Sequence, residues 1–261
     1  MLKNKKALSH KEQEIYFTLS NSSNRIFTLE MLKAFKFTDY NTLKELLSSM
    51  AKKGWFTRIK RGIYYLNAPG AAGIEDVFNI ATYLYDGYVA FSSALYIYHA
   101  ITERPYTIYV ATRRESRSKR FGNIEIKAVS LNERAVGITR YEGYSISTRA
   151  KTLYDCFHIP DYAGGYSKIV EAVYSLNLSA KEWEEFLGYV DNFEADSAKR
   201  KIGYTLEIAN KAGSRVPLRI INSLMINGSI IKFGRGKSGK YIRKWKLFDY
   251  LGEDYLLGWT R

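Results

Sequence analysis

The stretch from Leu43 to Asn67 constrains this chain more than any other. Leu43, Leu46, Leu47 and Met50 fall at i, i+3, i+4 and i+7, the spacing of one helical face. Thr38 or Asp39 can cap that helix at its start. Lys52-Lys53-Gly54 can end it, because cations suit a last turn and glycine takes the left-handed conformation beyond it. The run GWFTRIKRGIYYLN follows at once. Trp55–Lys60 and Ile63–Asn67 read as two strands, joined by Arg61-Gly62, where glycine is free to take positive φ.

Upstream, residues 10–20 put Ile15, Tyr16 and Leu19 on one helical face. After a polar break at Asn21–Asn24, Thr28 can cap a short helix whose apolar side is Leu29, Leu32 and Phe35. The link from Lys36 to Asp39 is long enough only for a turn. Three short helices followed by a basic hairpin is the order of a winged helix-turn-helix. The small residues that follow, with Pro69, Gly70 and Gly73, read as a linker. The expected organisation is a winged helix-turn-helix over 1–68, a linker over 69–73 and a larger mixed domain over 74–261.

Charge agrees with that division. The net charge is +14, and residues 1–68 hold thirteen Lys and Arg against five Asp and Glu, more than half of the excess. Such an excess favours polyanions through counterion release, with nucleic acid first among them, although plain solubility is the rival explanation. The single cysteine, Cys156, excludes an intrachain disulfide and suits a reducing compartment. No apolar run approaches about 18 residues, and the basic start leads into no apolar signal region. A cytoplasmic protein without membrane contact is expected.

The remainder reads as strands and helices in blocks, so the fold class is α+β rather than a doubly wound sheet. Strands are expected near Tyr88–Phe91, at Thr107–Thr112 and at Ile124–Val129, with a basic loop, RRESRSKRFGN, between the last two. A hairpin turns at Glu142-Gly143. Ser92 or Ser93 can cap a helix that runs through Tyr98. Helices then dominate, from about Thr148, Ser167, Ser179 (a capping box with Glu182), Asp196 and Pro217. Two strands close the chain, Ile230–Phe233 and Tyr241–Leu247.

In a helix-turn-helix the second helix of the pair reads base edges. Here its outward face holds Asn41, Glu45 and Ser48, flanked by Thr42 and Lys44. Asn pairs with adenine edges, Lys with guanine, and Ser or Thr with bases or phosphates. Lys36 and Thr38 in the turn suit phosphate. Arg58, Lys60 and Arg61 in the hairpin suit the backbone or the minor groove. A merely solvated helix, or a winged helix that docks protein, would present the same surface.

Catalytic constellations are weak. Residues 234–240 satisfy GxxxxGK, but Tyr241 stands where a P-loop needs Ser or Thr, and YIRKWKL alternates like a strand. Glu125-Ile126-Lys127 resembles a nuclease strand, with Glu115 as the one acidic residue near enough to assist; surface charge explains it as well. Cys156 and His158 point to different faces of a helix. No Cys/His spacing suggests zinc. His99 closes an apolar helix and is expected to be buried and hydrogen-bonded. Lys151 and Asp155, at i and i+4, can simply pair on a surface. No catalytic residue, metal or cofactor is expected.

Five segments, in order, resemble the AbiEi abortive-infection antitoxin family: GWFTRIKRGIYYL, SSALYIYHAITERPYTIYVAT, STRAKTLYDCFHIPDYAGGYSKIVEAV, SAKRKIGYTLE and GKYIRKWKL. The likeness runs from about residue 10 to 248. It departs where the family's double arginine is Arg200-Lys201 and where the turn before the last strand is rich in Gly and Lys. The resemblance implies a winged helix that binds inverted repeats in double-stranded operator DNA of its own promoter and represses it. It also implies a C-terminal domain that counteracts a nucleotidyltransferase-like toxin, with no stable complex required (a type IV pair, active in phage defence). Arg149, Thr152, Asp155 and Arg200 are the antitoxin candidates it marks. The rivals are a stand-alone regulator with an effector-binding domain and a metal-dependent nuclease.

Overall fold

Ser9 starts the first helix by a reciprocal arrangement: its hydroxyl accepts from the Glu12 amide, and the Glu12 carboxylate accepts from the Ser9 amide. The computed structural model describes residues 6–22, 24–68, 77–121 and 124–260. Its contacts divide the chain into two units, Met1–Asp86 and Gly87–Arg261.

The first unit runs α1 (His10–Ser20), β1 (Ile26–Thr28), α2 (Leu29–Ala34), α3 (Tyr40–Lys52), β2 (Phe56–Lys60), β3 (Ile63–Leu66) and α4 (Val77–Tyr85). Local signals set the helix starts: the Thr28 hydroxyl caps α2, and the Asp39 carboxylate accepts from the amides of Asn41 and Thr42 to cap α3. Gly54, at φ +84°, ends α3, and Gly62, at φ +74°, turns the hairpin. The three strands form an antiparallel sheet in the order β1-β3-β2. Ile15, Leu19, Leu32, Leu43, Leu47 and Phe56 close the core beneath it.

Phe35 is 47% exposed and stacks on Phe37 rather than facing the core with Leu32. The strand β1 is absent from the sequence reading; its three residues are ordered by pairing with β3, far along the chain. The expected linker, 69–73, lies outside the described residues. Residues 77–85, placed by expectation in the C-terminal domain without a helix, form α4, which packs on β2 within the first unit.

The second unit contains β4 (Tyr88–Val89), α5 (Phe91–Ile97), β5 (Thr107–Thr112), β6 (Arg117–Phe121), β7 (Ile124–Ser130), β8 (Ile138–Tyr141) and β9 (Tyr144–Ser147). It continues with α6 (Arg149–His158), α7 (Tyr166–Leu176), α8 (Ala180–Phe193), α9 (Asp196–Lys211), α10 (Leu218–Ser223), β10 (Ile231–Phe233), β11 (Lys240–Ile242), β12 (Leu247–Asp249) and α11 (Glu253–Leu256). Its six-stranded sheet has the order β6-β7-β5-β4-β9-β8 and is mixed: β5 pairs parallel with β7, and β4 with β9. A separate three-stranded sheet, β10-β12-β11, packs into the helical core through Phe233, Trp245 and Leu247. Gly203 on α9 lets the Trp245 ring approach; a Cβ there would sit 2.3 Å from the indole. The α+β class is thus borne out, with a winged helix-turn-helix first and a larger mixed part after it.

Four corrections concern this unit. The basic loop before β7 is in large part the edge strand β6, antiparallel to β7. The expected strand Tyr241–Leu247 is broken after Ile242 by a 3-10 turn, Arg243–Trp245, with Lys246 at φ +46°. Ser93 does not cap α5; it lies inside the helix, and its hydroxyl accepts from the Tyr109 amide at 2.9 Å. His99 is exposed and left-handed at φ +55°, where its backbone turns the chain out of α5.

Candidate nucleic-acid interface

The helix α3 buries Leu43, Leu47 and Met50, and this orientation fixes what its other side presents. Asn41, Thr42, Lys44, Glu45 and Ser48 are all exposed, and Asn41, Glu45 and Ser48 form one stripe along a helix of about 20 Å. At the start of that stripe the Asp39 carboxyl is held below its ordinary range, first by the Thr42 hydroxyl and then by the amides of Thr42 and Asn41. The Thr38 hydroxyl also donates to it, at 3.4 Å. The hydroxyls of Thr38 and Thr42 are therefore engaged in the cap, while Asn41 and Ser48 project from the helix.

Tyr40 is the residue that sequence reasoning missed. It is 45% exposed, and the Lys44 ammonium sits 3.8 Å from its ring centre, with the Lys33 ammonium at 5.8 Å. The i, i+4 spacing of Tyr40 and Lys44 was the available signal. The ring sets the direction of the Lys44 charge beside the exposed stripe. Lys36, exposed at φ +54°, lies in the turn that enters α3.

The wing is anchored at its root. The Leu29 amide donates to the Gly62 carbonyl at 2.7 Å, and Thr28 pairs with Ile63, so the hairpin turn is tied to the start of α2. Arg58 and Arg61 are exposed on this ribbon. Lys60 is not equivalent to them, because its ammonium donates to the Leu84 carbonyl of α4 at 3.3 Å. A bulge between Arg58 and Lys60 buries Ile59 and separates the two cations along the strand.

The antitoxin candidates fall in the second unit and do not converge on one point. The Arg149 guanidinium, 38% exposed, donates to Glu182 at 3.1 Å and to the Leu176 carbonyl. The Thr152 hydroxyl lies 2.6 Å from that of Ser147, both buried. Lys151 donates to Asp155, but not on a surface as expected: both side chains are wholly buried, and Tyr88, Tyr154 and Tyr189 surround the ammonium at 4.9 to 5.9 Å. Burial pushes the Asp155 carboxyl up to about 6 and lowers Lys151. Arg200, on α9, is 3% exposed and donates to the carbonyls of Trp245 and Lys246 at 3.4 and 3.3 Å.

The weaker chemical candidates take ordinary places. The 234–240 run leads from β10 into β11, not into a helix. The Lys127 ammonium lies 4.8 Å from the Tyr162 ring centre, and Glu115 accepts from Arg117 at 2.7 Å on the surface. Among the described residues, no three His, Cys, Asp or Glu side chains cluster so as to hold a metal, and no helix is long and apolar enough to cross a membrane. A cleft of about 400 Å³, lined by Glu103, Arg104, Tyr106, Tyr109, Tyr162 and Lys168 among others, opens beside β5.

Residues 14–67 match the family model described as "Transcriptional regulator, AbiEi antitoxin". The resemblance seen in the sequence is borne out over that segment, which is the winged head. The whole fold is similar to the crystal structure of the RV2827C protein from Mycobacterium tuberculosis, with a TM-score of 0.68 over 99% of this chain and 98% of that one. The two share 14% sequence identity, so the likeness is one of fold. No curated protein matches the chain.

Proposed function

We propose that this chain is a cytoplasmic autorepressor and the antitoxin of a type IV pair that serves phage defence. Its head, residues 1–68, reads inverted repeats in its own promoter, and the part after the linker counteracts a nucleotidyltransferase-like toxin without a stable complex. The observation that carries the reading is the exposed stripe of α3, beside a wing with Arg58 and Arg61, inside the segment that matches a family of antitoxin regulators. In this reading Asn41, Lys44, Glu45 and Ser48 meet base edges. Lys36 meets phosphate at the helix entry, where Thr38 and Thr42 join it by releasing their hydrogen bonds to Asp39, and the wing, with Lys60 at its root, follows the backbone.

Arg149, Thr152, Asp155 and Arg200 serve antitoxicity mainly from within, by fixing α6 and the turn before β12. Of the four, Arg149 alone has substantial exposure. No catalysis is assigned to the chain.

The test is an electrophoretic shift on the upstream promoter fragment. Binding should be saturable and fall steeply with salt. Failure to bind at low salt sinks the operator assignment. Growth rescue on co-expression with the neighbouring toxin gene tests the second half independently, and no rescue removes it. The cleft beside β5 favours a second reading, a regulator whose operator affinity responds to a small effector. An operator affinity that shifts on addition of cell metabolites would select it.

A further inference from the structure

Between Glu207 and Asp249 the sequence contains ten Lys or Arg and no Asp or Glu. The three-stranded sheet β10-β12-β11 lies within this segment up to Asp249, the last residue of β12, which is buried and accepts from the Tyr204 hydroxyl at 2.9 Å. Its register sorts the side chains by face. Ile231, Leu247 and Ile242 form one row, directed toward the helical core. Lys232, Phe248 and Tyr241 form the next row and therefore the opposite face. Tyr241 is 43% exposed, and its ring centre is 5.2 Å from that of Phe248. Lys232 at the row's end is exposed.

The loop between β10 and β11 crosses the end of β12. There Gly236 and Gly239 lie against Tyr250; a Cβ at Gly239 would meet the Tyr250 ring at 2.9 Å. The loop can cross here because Gly239 lacks a side chain, and it carries Arg235 and Lys237 outward. The 3-10 turn at the other end of β11 presents Arg243, also exposed. A pair of rings with cations at both ends is the arrangement that holds a nucleic-acid single strand: bases stack on the rings, and phosphates run between the charges. Duplex DNA, with its bases already stacked, offers nothing to the rings.

We propose that the outer face of β10-β12-β11, centred on Tyr241 and Phe248, is a binding site for single-stranded nucleic acid, separate from the winged head. The proposal does not depend on the head reading an operator.

The test uses the full-length protein and a short, labelled, mixed-sequence single strand, prepared both as RNA and as DNA, at low salt. Both strands should bind, and the tighter of the two identifies the natural source. Tyr241→Ala should weaken binding roughly tenfold, while Tyr241→Phe, which keeps the stacking surface, should bind like the wild type. Lys232→Ala should reduce the salt slope by about 0.7. Binding of promoter duplex by Tyr241→Ala should stay at wild-type strength, so the two sites are read separately. The site is overturned if neither strand binds, if Tyr241→Ala binds single strands as well as the wild type, or if that variant loses both ligands together.

Discussion

The Lys53 ammonium, just past the end of α3, donates to the carboxylate of Glu12 in the first turn of α1, and Glu12 is only 2% exposed. The contact ties α3 to the helix that begins the winged head. Burial opposes ionisation of Glu12, but Lys53, the Ser9 amide and the hydroxyls of Ser49 and Ser9 outweigh it and hold the group at about 2. The unfolded chain therefore takes up this proton first as pH falls. The stabilisation, about 3 kcal/mol, is complete above pH of about 4.5 and disappears as pH falls toward 2. Glu12→Gln should remove most of it at neutral pH and flatten the head's acid transition. Urea unfolding across that pH range, followed by amide exchange in α1 and α3, measures both effects.

Lys44 and Lys60 should differ in operator binding despite equal charge. Lys44→Ala should weaken binding about tenfold and lower the salt slope by about one. Lys60→Ala should change the salt slope less, because that ammonium already donates to the Leu84 carbonyl. Arg61→Ala on the exposed turn should behave like Lys44→Ala. Titrations at several salt concentrations decide, and equal slopes for Lys60 and Arg61 variants would contradict the geometry.

Asn41→Ala is expected to act on sequence choice rather than on affinity for any duplex. A bidentate base contact contributes about 1–3 kcal/mol of discrimination. Selection from a randomised operator library should lose preference at one position in each half-site, with non-specific affinity unchanged.

Asp155→Asn leaves the Lys151 charge buried among three tyrosine rings without its counter-ion. It should destabilise the second unit by about 3–5 kcal/mol. The double variant Lys151→Met with Asp155→Leu should recover most of that loss. If Asp155 acts by holding α6, toxin rescue returns in the double variant together with the melting temperature. Recovery of stability without rescue would assign Asp155 a direct part.

Much of the head was legible because its signals are local. Thr28 and Asp39 cap the helices they precede, the leucines of α3 keep strict spacing, and Gly62 turns the hairpin. Elements that depend on distant partners were not. The three residues of β1 gain their form from β3, and the charged run of β6 lacks apolar alternation because it is an edge strand ordered by β7. The same limit hid the candidate sites in the second unit. Spacing alone put Lys151 and Asp155 on a surface, whereas the rings that bury them come from β4 and α8 as well as α6. Lys60 was read as a wing cation because its acceptor, Leu84, lies in a helix that the sequence did not disclose.

The fit of Trp245 over Gly203 makes two distant positions heritable as one. A methyl at 203 has no room while the indole is present, and loss of the indole leaves a hole that a bare glycine cannot fill. Lineages descended from a common ancestor should therefore change both positions or neither, and a chimera that joins one parent's α9 to another's closing strands should fail wherever the parents disagree at this pair.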